Sequence, residues 1–102
     1  RAASLAVMQF SIVGTVFEWR GPAPFYFVAV PEQQSAEIKA SESMLTYGWG
    51  VIPVEGRIGD TEFTTSLIPR DGLYLVPIKN MVRLPEKLAV GDEVEISLKF
   101  KA

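Results

Sequence analysis

The sequence predicts a mainly β domain with two helices, in which about six strands close into one small barrel. Three observations carry that prediction. Two strand-like runs of the same shape, Phe25-Tyr26-Phe27-Val28-Ala29-Val30 and Leu73-Tyr74-Leu75-Val76-Pro77-Ile78, stand 48 residues apart, and each leads into a helical pattern. This spacing suggests a duplicated β-β-α-β half, and two such halves can close on each other. Near the C-terminus, Val94, Ile96, Leu98 and Phe100 alternate with Glu93, Glu95, Ser97, Lys99 and Lys101, the period of a strand with one dry face. Between them, Val51 to Ile58 and Glu62 to Ile68 flank Gly59-Asp60-Thr61, a hairpin signature.

Taken in order, Gln9 to Trp19 is the first strand, with Phe10, Ile12 and Val16 on one face and Val13, Phe17 and Trp19 on the other. Gly14 in its middle permits the bend that a strand curling around a small barrel needs. Gly21-Pro22-Ala23-Pro24 lacks two backbone donors and is a turn. Phe25 to Val30 is the second strand. Pro31 then starts a helix with Glu32 in its first turn, running to about Ser43 and weakly amphipathic. Tyr47-Gly48-Trp49-Gly50 sets one large aromatic between two flexible backbone positions.

In the hairpin that follows, Pro53 places its strand near a sheet edge. Pro69-Arg70-Asp71-Gly72 is a further turn, with Gly72 suited to a left-handed conformation. Leu73 begins the fifth strand. Lys79 to Leu88 is a short helix interrupted at Pro85: Met81, Leu84 and Leu88 form its apolar face, and Lys79, Arg83 and Lys87 a basic stripe. Gly91-Asp92 closes that unit, and the alternating strand ends the domain. Its four inward side chains each contribute roughly 1.5 to 3 kcal/mol on burial before entropy is counted.

Composition removes whole classes of chemistry. The chain has no Cys and no His, so disulfides, thiolate nucleophiles, imidazole acid-base work and the usual zinc or iron ligand sets are excluded together. No cofactor is expected. With 102 residues and 48% hydrophobic content the chain supports one domain, burying roughly 60 to 70% of its unfolded surface. The formal charge of −2 lacks the basic excess that drives nonspecific attraction to phosphate backbones. No apolar stretch approaches the roughly 18 to 20 residues of a membrane span, and Arg1 to Val7 is too short for a secretory leader. A soluble, cytoplasmic protein without a membrane partner is the expectation. Residues 1–7 are read as an added or disordered N-terminal segment ahead of a native start at Met8, with residues 8–102 as the single domain.

The arrangement Trp19-x-Gly21-Pro22-Ala23-Pro24-Phe25, then Val30-Pro31, Gly48-Trp49-Gly50, Thr65-Ser66-Leu67-Ile68-Pro69, Leu75-Val76-Pro77-Ile78-Lys79 and Val82-Arg83, closing with Gly91-Asp92-Glu93-Val94, resembles a bacterial and archaeal family of unknown function. The resemblance covers Gln9 to Phe100. It implies a double-split β-barrel, a pseudobarrel capped by helices, of the fold shared with swapped-hairpin DNA-binding proteins and antitoxins of the AbrB and MazE type. Some relatives are fused to a bacteriocin-protection type domain. No activity comes with the resemblance, and Pro85 departs from the smoother helix of the relatives.

Candidate site residues follow from two features. The aromatics Trp19, Phe25, Tyr26, Trp49 and Tyr74, beside Gly-Pro turns, can wall a shallow apolar pocket, although ordinary core and barrel-end packing is the simpler account of such rings. The stripe of Lys79, Arg83 and Lys87, with Arg70 at the preceding turn, can hold a phosphate, a carboxylate or a nucleic-acid backbone, although a solvated helix face is the simpler account. Trp19, Phe25, Trp49, Arg70, Lys79 and Arg83 are therefore the candidate contacts for a small anionic ligand or a protein partner. The leading function is a non-enzymatic binding module. Its alternative is a DNA-binding regulator of the swapped-hairpin type, and a hydrolase pairing Ser66 with Lys79 as base stands third. Asp60, Asp71 and Asp92 each sit beside Gly, where turn chemistry accounts for them. Because one chain supplies both halves, a monomer is expected, with weak dimerisation through an edge strand.

Overall fold

A computed structural model describes residues 7–20, 25–41 and 52–101. The expected turn at 21–24, the Tyr47-Gly48-Trp49-Gly50 segment, Val51 and the helix end at Ser43 lie outside the described residues. Within them run β1 (Val7–Trp19), β2 (Phe25–Ala29), α1 (Glu32–Ala40), β3 (Ile52–Ile58), β4 (Thr61–Arg70), β5 (Leu73–Pro77), α2 (Asn80–Arg83) and β6 (Glu93–Lys101). All six described strands are antiparallel to their neighbours and close into a barrel in the order β1-β2-β5-β4-β3-β6. The protein is thus mainly β with two helices, a closed six-stranded barrel among the described residues.

Every strand of the ring has two neighbours, and β1 and β4 change from one to the other along their length. β1 pairs with β6 from Val7 to Thr15 and with β2 from Val16 to Trp19. At the switch, Val28 Cγ1 lies 2.6 Å from where a Cβ on Gly14 would stand, so only glycine lets the bent strand come this close to β2. β4 changes partner in the same way, from β3 over Thr61–Leu67 to β5 over Ile68–Arg70. The strand order is unchanged when the first β-β-α-β unit (β1, β2, α1, β3) is exchanged with the second (β4, β5, α2, β6), and Val28 and Val76, 48 residues apart, sit opposite each other where β2 meets β5.

The core fills from one face of every strand. Ile12 and Val16, Val28, Ile52 and Val54, Phe63 and Leu67, Tyr74 and Val76, and Val94 through Phe100 at alternate positions are buried together, with Val30, Ile38, Ile78 and Val82 closing the ends. Helix α1 contributes only Ser35 and Ile38 to this interior. That suits its weak amphipathicity: it caps an end of the barrel rather than forming a layer.

Three expectations change. The turn at residues 69–72 is only Asp71-Gly72, because Pro69 and Arg70 continue β4 opposite Tyr74 and Leu73. Asp71 and Gly72 both take positive φ, 52° and 81°, the requirement of a two-residue hairpin whose twist matches its strands. β3 is not at an edge: it lies between β4 and β6, and Pro53 is tolerated because pairing with β6 starts one residue later, at Val54. The six described strands also close into a ring, so none of them is an edge strand over its whole length. Finally, the second helix spans four residues instead of ten. Met81 and Leu84 are 67% and 61% exposed, and Val82 is the residue it buries.

Candidate functional site

Alternation sends one set of side chains inward and the other onto the outer surface, and the two outer faces differ sharply. Across β1, β6, β3 and β4 the outer face is ionic. Gln9, Lys99, Glu55 and Thr64 stand in one row, and Ser11, Ser97, Arg57 and Glu62 in the next. Its charges answer one another: Arg57 meets Glu62 at 3.7 Å and donates from Nε to the Gly59 carbonyl at 3.0 Å, while the Ser11 hydroxyl donates to Glu95 at 2.9 Å.

Across β1, β2, β5 and β4 the outer face is aromatic and aliphatic. The Phe27 ring is its hub, with ring centroids of Phe17 and Trp19 each 5.9 Å away and that of Phe25 at 6.5 Å. Register places them together, since Phe17 pairs with Phe27 and Trp19 with Phe25. Leu75 and Ile68, themselves a cross-strand pair, continue the patch. Phe27 and Leu75 are buried within it without joining the barrel core, whereas Trp19 and Phe25 remain 42% and 60% exposed. Rings this exposed beside a buried hub form a contiguous apolar surface, the kind that marks binding sites on folded domains.

Arg70 completes this face. Its guanidinium lies 3.5 Å from the centroid of the Trp19 ring, a cation-π stack that holds the fork flat. Asp71 Oδ2 stands 3.5 Å from Arg70 Nε, close enough for charge attraction and too long for a good hydrogen bond. A groove of about 380 Å³ opens here, lined by Phe17, Trp19, Leu73 and Leu75, by the cations Arg20 and Arg70, and by the carboxylates Glu18 and Asp71 among others.

The six candidates therefore separate. Trp19, Phe25 and Arg70 come together on one open sheet face; Trp49 lies outside the described residues. Arg83 is elsewhere, its guanidinium 4.3 Å from the centroid of the inward-leaning Tyr26 ring and its Nη2 donating to Asn80 Oδ1 at 3.1 Å. Lys79 is exposed at the start of α2. The basic stripe does not form: the helix ends at Arg83 and Lys87 adopts a positive φ of 54°, so no common helical face carries the three cations. Tyr74 is buried in the barrel core. Ser66 sits opposite Pro53 in the β3–β4 ladder, and no hydrogen bond joins it to Lys79 among the described residues. Phe27 and Leu75 are the members that inspection of the sequence missed. The signal was present as the alternation of Phe25 with Phe27 and Leu73 with Leu75, once the β1–β2 register is known.

A family described as a domain of unknown function, DUF1905, matches residues 13–98. The chain belongs to the DUF1905 family. The DUF1905 match runs from β1 into β6 and so takes in every strand of the closed barrel and all of the aromatic face. The family description assigns no activity, so no residue role passes to this chain from it. Comparison with curated proteins gave no match. No helix among the described residues is long and apolar enough to cross a membrane.

Proposed function

We propose that this DUF1905 domain is a non-enzymatic binding module that holds its ligand on the outer face of β1, β2, β5 and β4. One observation carries the reading: Trp19, Phe25 and Arg70 converge on a single open sheet face around Phe27, although they come from two different halves of the chain. The ionic outer face carries a larger groove of about 730 Å³, but it is lined mostly by polar and charged side chains, Arg57 is paired with Glu62 within it, and no cluster of aromatic rings lies there among the described residues. The reading includes a monomer acting in the cytoplasm, supported by the closed ring of strands and by the charge balance.

The test is a fragment screen followed by residue-resolved NMR shifts on the full chain. Fragments should perturb Phe17, Trp19, Phe27 and Leu75 in common and leave Glu55, Arg57 and Lys99 unmoved. Perturbations confined to the ionic face, or turnover of a hydrolase substrate that Lys79→Ala abolishes, would reject the proposal. The DNA-binding alternative loses its main support with the basic stripe. Titration with duplex DNA at two salt concentrations checks it, since phosphate contacts impose a steep salt dependence.

A further inference from the structure

We infer that the aromatic face selects a small ligand with a flat apolar body and one anionic group, and that Asp71 tunes this selection by competing for Arg70. The inference rests on the binding reading above and names the ligand chemistry that fits it. Apolar contact comes from Phe17, Trp19, Leu73 and Leu75, and the groove of about 380 Å³ is sized for a small molecule. Charge selection comes from Arg70. The lining charges balance, Arg20 and Arg70 against Glu18 and Asp71, but Arg70 forms no hydrogen bond among the described residues, so its donor fork stays open while Trp19 fixes its plane. A carboxylate, sulfonate or phosphate on a ring lying in the groove meets that fork edge-on, where two parallel N–H···O bonds form.

Of the two carboxylates lining the groove, Asp71 is the one that stands beside Arg70. Its carboxylate is 87% exposed and 3.5 Å from Arg70 Nε, so it attracts the guanidinium without satisfying it. An incoming anion must displace this loose pairing. The hairpin holds Asp71 beside Arg70 through a φ of 52°, a conformation that Asn also adopts readily, so Asp71→Asn removes the charge and keeps the turn.

A matched pair of fluorescent probes tests this on the full chain: 8-anilinonaphthalene-1-sulfonate, and N-phenyl-1-naphthylamine, with the same rings and no sulfonate. The sulfonate should bind more tightly. Arg70→Gln should weaken the sulfonate about tenfold relative to the neutral probe. Asp71→Asn should tighten the sulfonate about two- to fivefold relative to the neutral probe, the range of an exposed ion pair. Trp19→Ala should weaken both. Circular dichroism of each variant confirms that it is folded. If Trp19→Ala weakens both probes while Arg70→Gln and Asp71→Asn treat them alike, the anion inference fails and the binding face stands. If Trp19→Ala changes neither, both fall.

Discussion

The Tyr26 carbonyl accepts a hydrogen bond from the Ile78 N–H at 2.8 Å, and the Tyr74 carbonyl accepts one from the Val30 N–H at 2.8 Å. Both tyrosines and both donors are 48 residues apart, so the two bonds repeat one contact at the spacing that also separates the paired Val28 and Val76. The helices extend the relationship. Ser35 on α1 and Arg83 at the end of α2 are also 48 apart, and each reaches the other half's tyrosine: Ser35 bonds to the Tyr74 main chain, and Arg83 stacks on the Tyr26 ring. One backbone plan thus carries two unlike side-chain solutions.

Ser35 is the buried one. Its hydroxyl donates to the Val30 carbonyl at 3.0 Å and accepts from the Tyr74 N–H at 3.1 Å, tying α1 to the junction of β2 and β5. Ser35→Ala removes both bonds in a place water does not reach, which should lower stability by about 1–3 kcal/mol. Urea denaturation reads this as a drop in midpoint with an unchanged slope. A midpoint equal to wild type would show that the hydroxyl holds nothing.

The Arg83–Tyr26 stack calls for a cycle of substitutions rather than one. Arg83→Ala, Tyr26→Leu and the double variant should give a coupling of about 0.5–1 kcal/mol, the range of a partly exposed cation-π contact. Arg83→Lys should lose most of it, because an ammonium cannot lie flat on the ring. Additive effects within error would mean that the two groups are neighbours without an interaction.

Gly56 faces the barrel interior directly opposite Phe63, and the Phe63 ring carbon Cζ lies 2.5 Å from where a Cβ on Gly56 would stand. The ring occupies the space that a side chain on β3 would take. Gly56→Ala should therefore cost about 1–3 kcal/mol by overpacking. Phe63→Leu in the same chain should recover part of that loss by vacating the space, so the two substitutions should be non-additive in thermal or urea unfolding. Strict additivity would refute the account.

How far the sequence reveals this molecule depends on whether a feature is local. β6 was legible because one of its faces is dry and the other wet: Val94, Ile96, Leu98 and Phe100 are buried while Glu93, Glu95, Ser97 and Lys99 are exposed. The 48-residue spacing read from the two strand-like runs reappears where Val28 pairs with Val76. Pro69 and Arg70 were read as turn because Pro-Arg-Asp-Gly is turn-rich, yet a hairpin needs only Asp71-Gly72 and the ladder takes the other two. The partner of Arg70 was hidden for a different reason. Trp19 closes the β1–β2 ladder and Arg70 the β4–β5 ladder, and their stacking is set by the curvature of four strands, which no spacing along the chain encodes.

The α2 region gives the sharpest contrast between pattern and burial. Met81, Leu84 and Leu88 have helical apolar spacing, but the helix stops at Arg83 and Met81 points outward, whereas Ile96 on β6 has no exposed surface. Met81→Ala should change stability by less than about 0.5 kcal/mol, as for a surface position. Ile96→Ala should cost about 2–5 kcal/mol through lost burial and the cavity left among the surrounding strands. Ile96→Glu should prevent folding altogether, because the carboxylate would be sealed in an apolar core without a partner. The three variants measured side by side by urea denaturation separate a packed α2 from an exposed one. A Met81→Ala loss approaching that of Ile96→Ala would place Met81 in the core and contradict this packing.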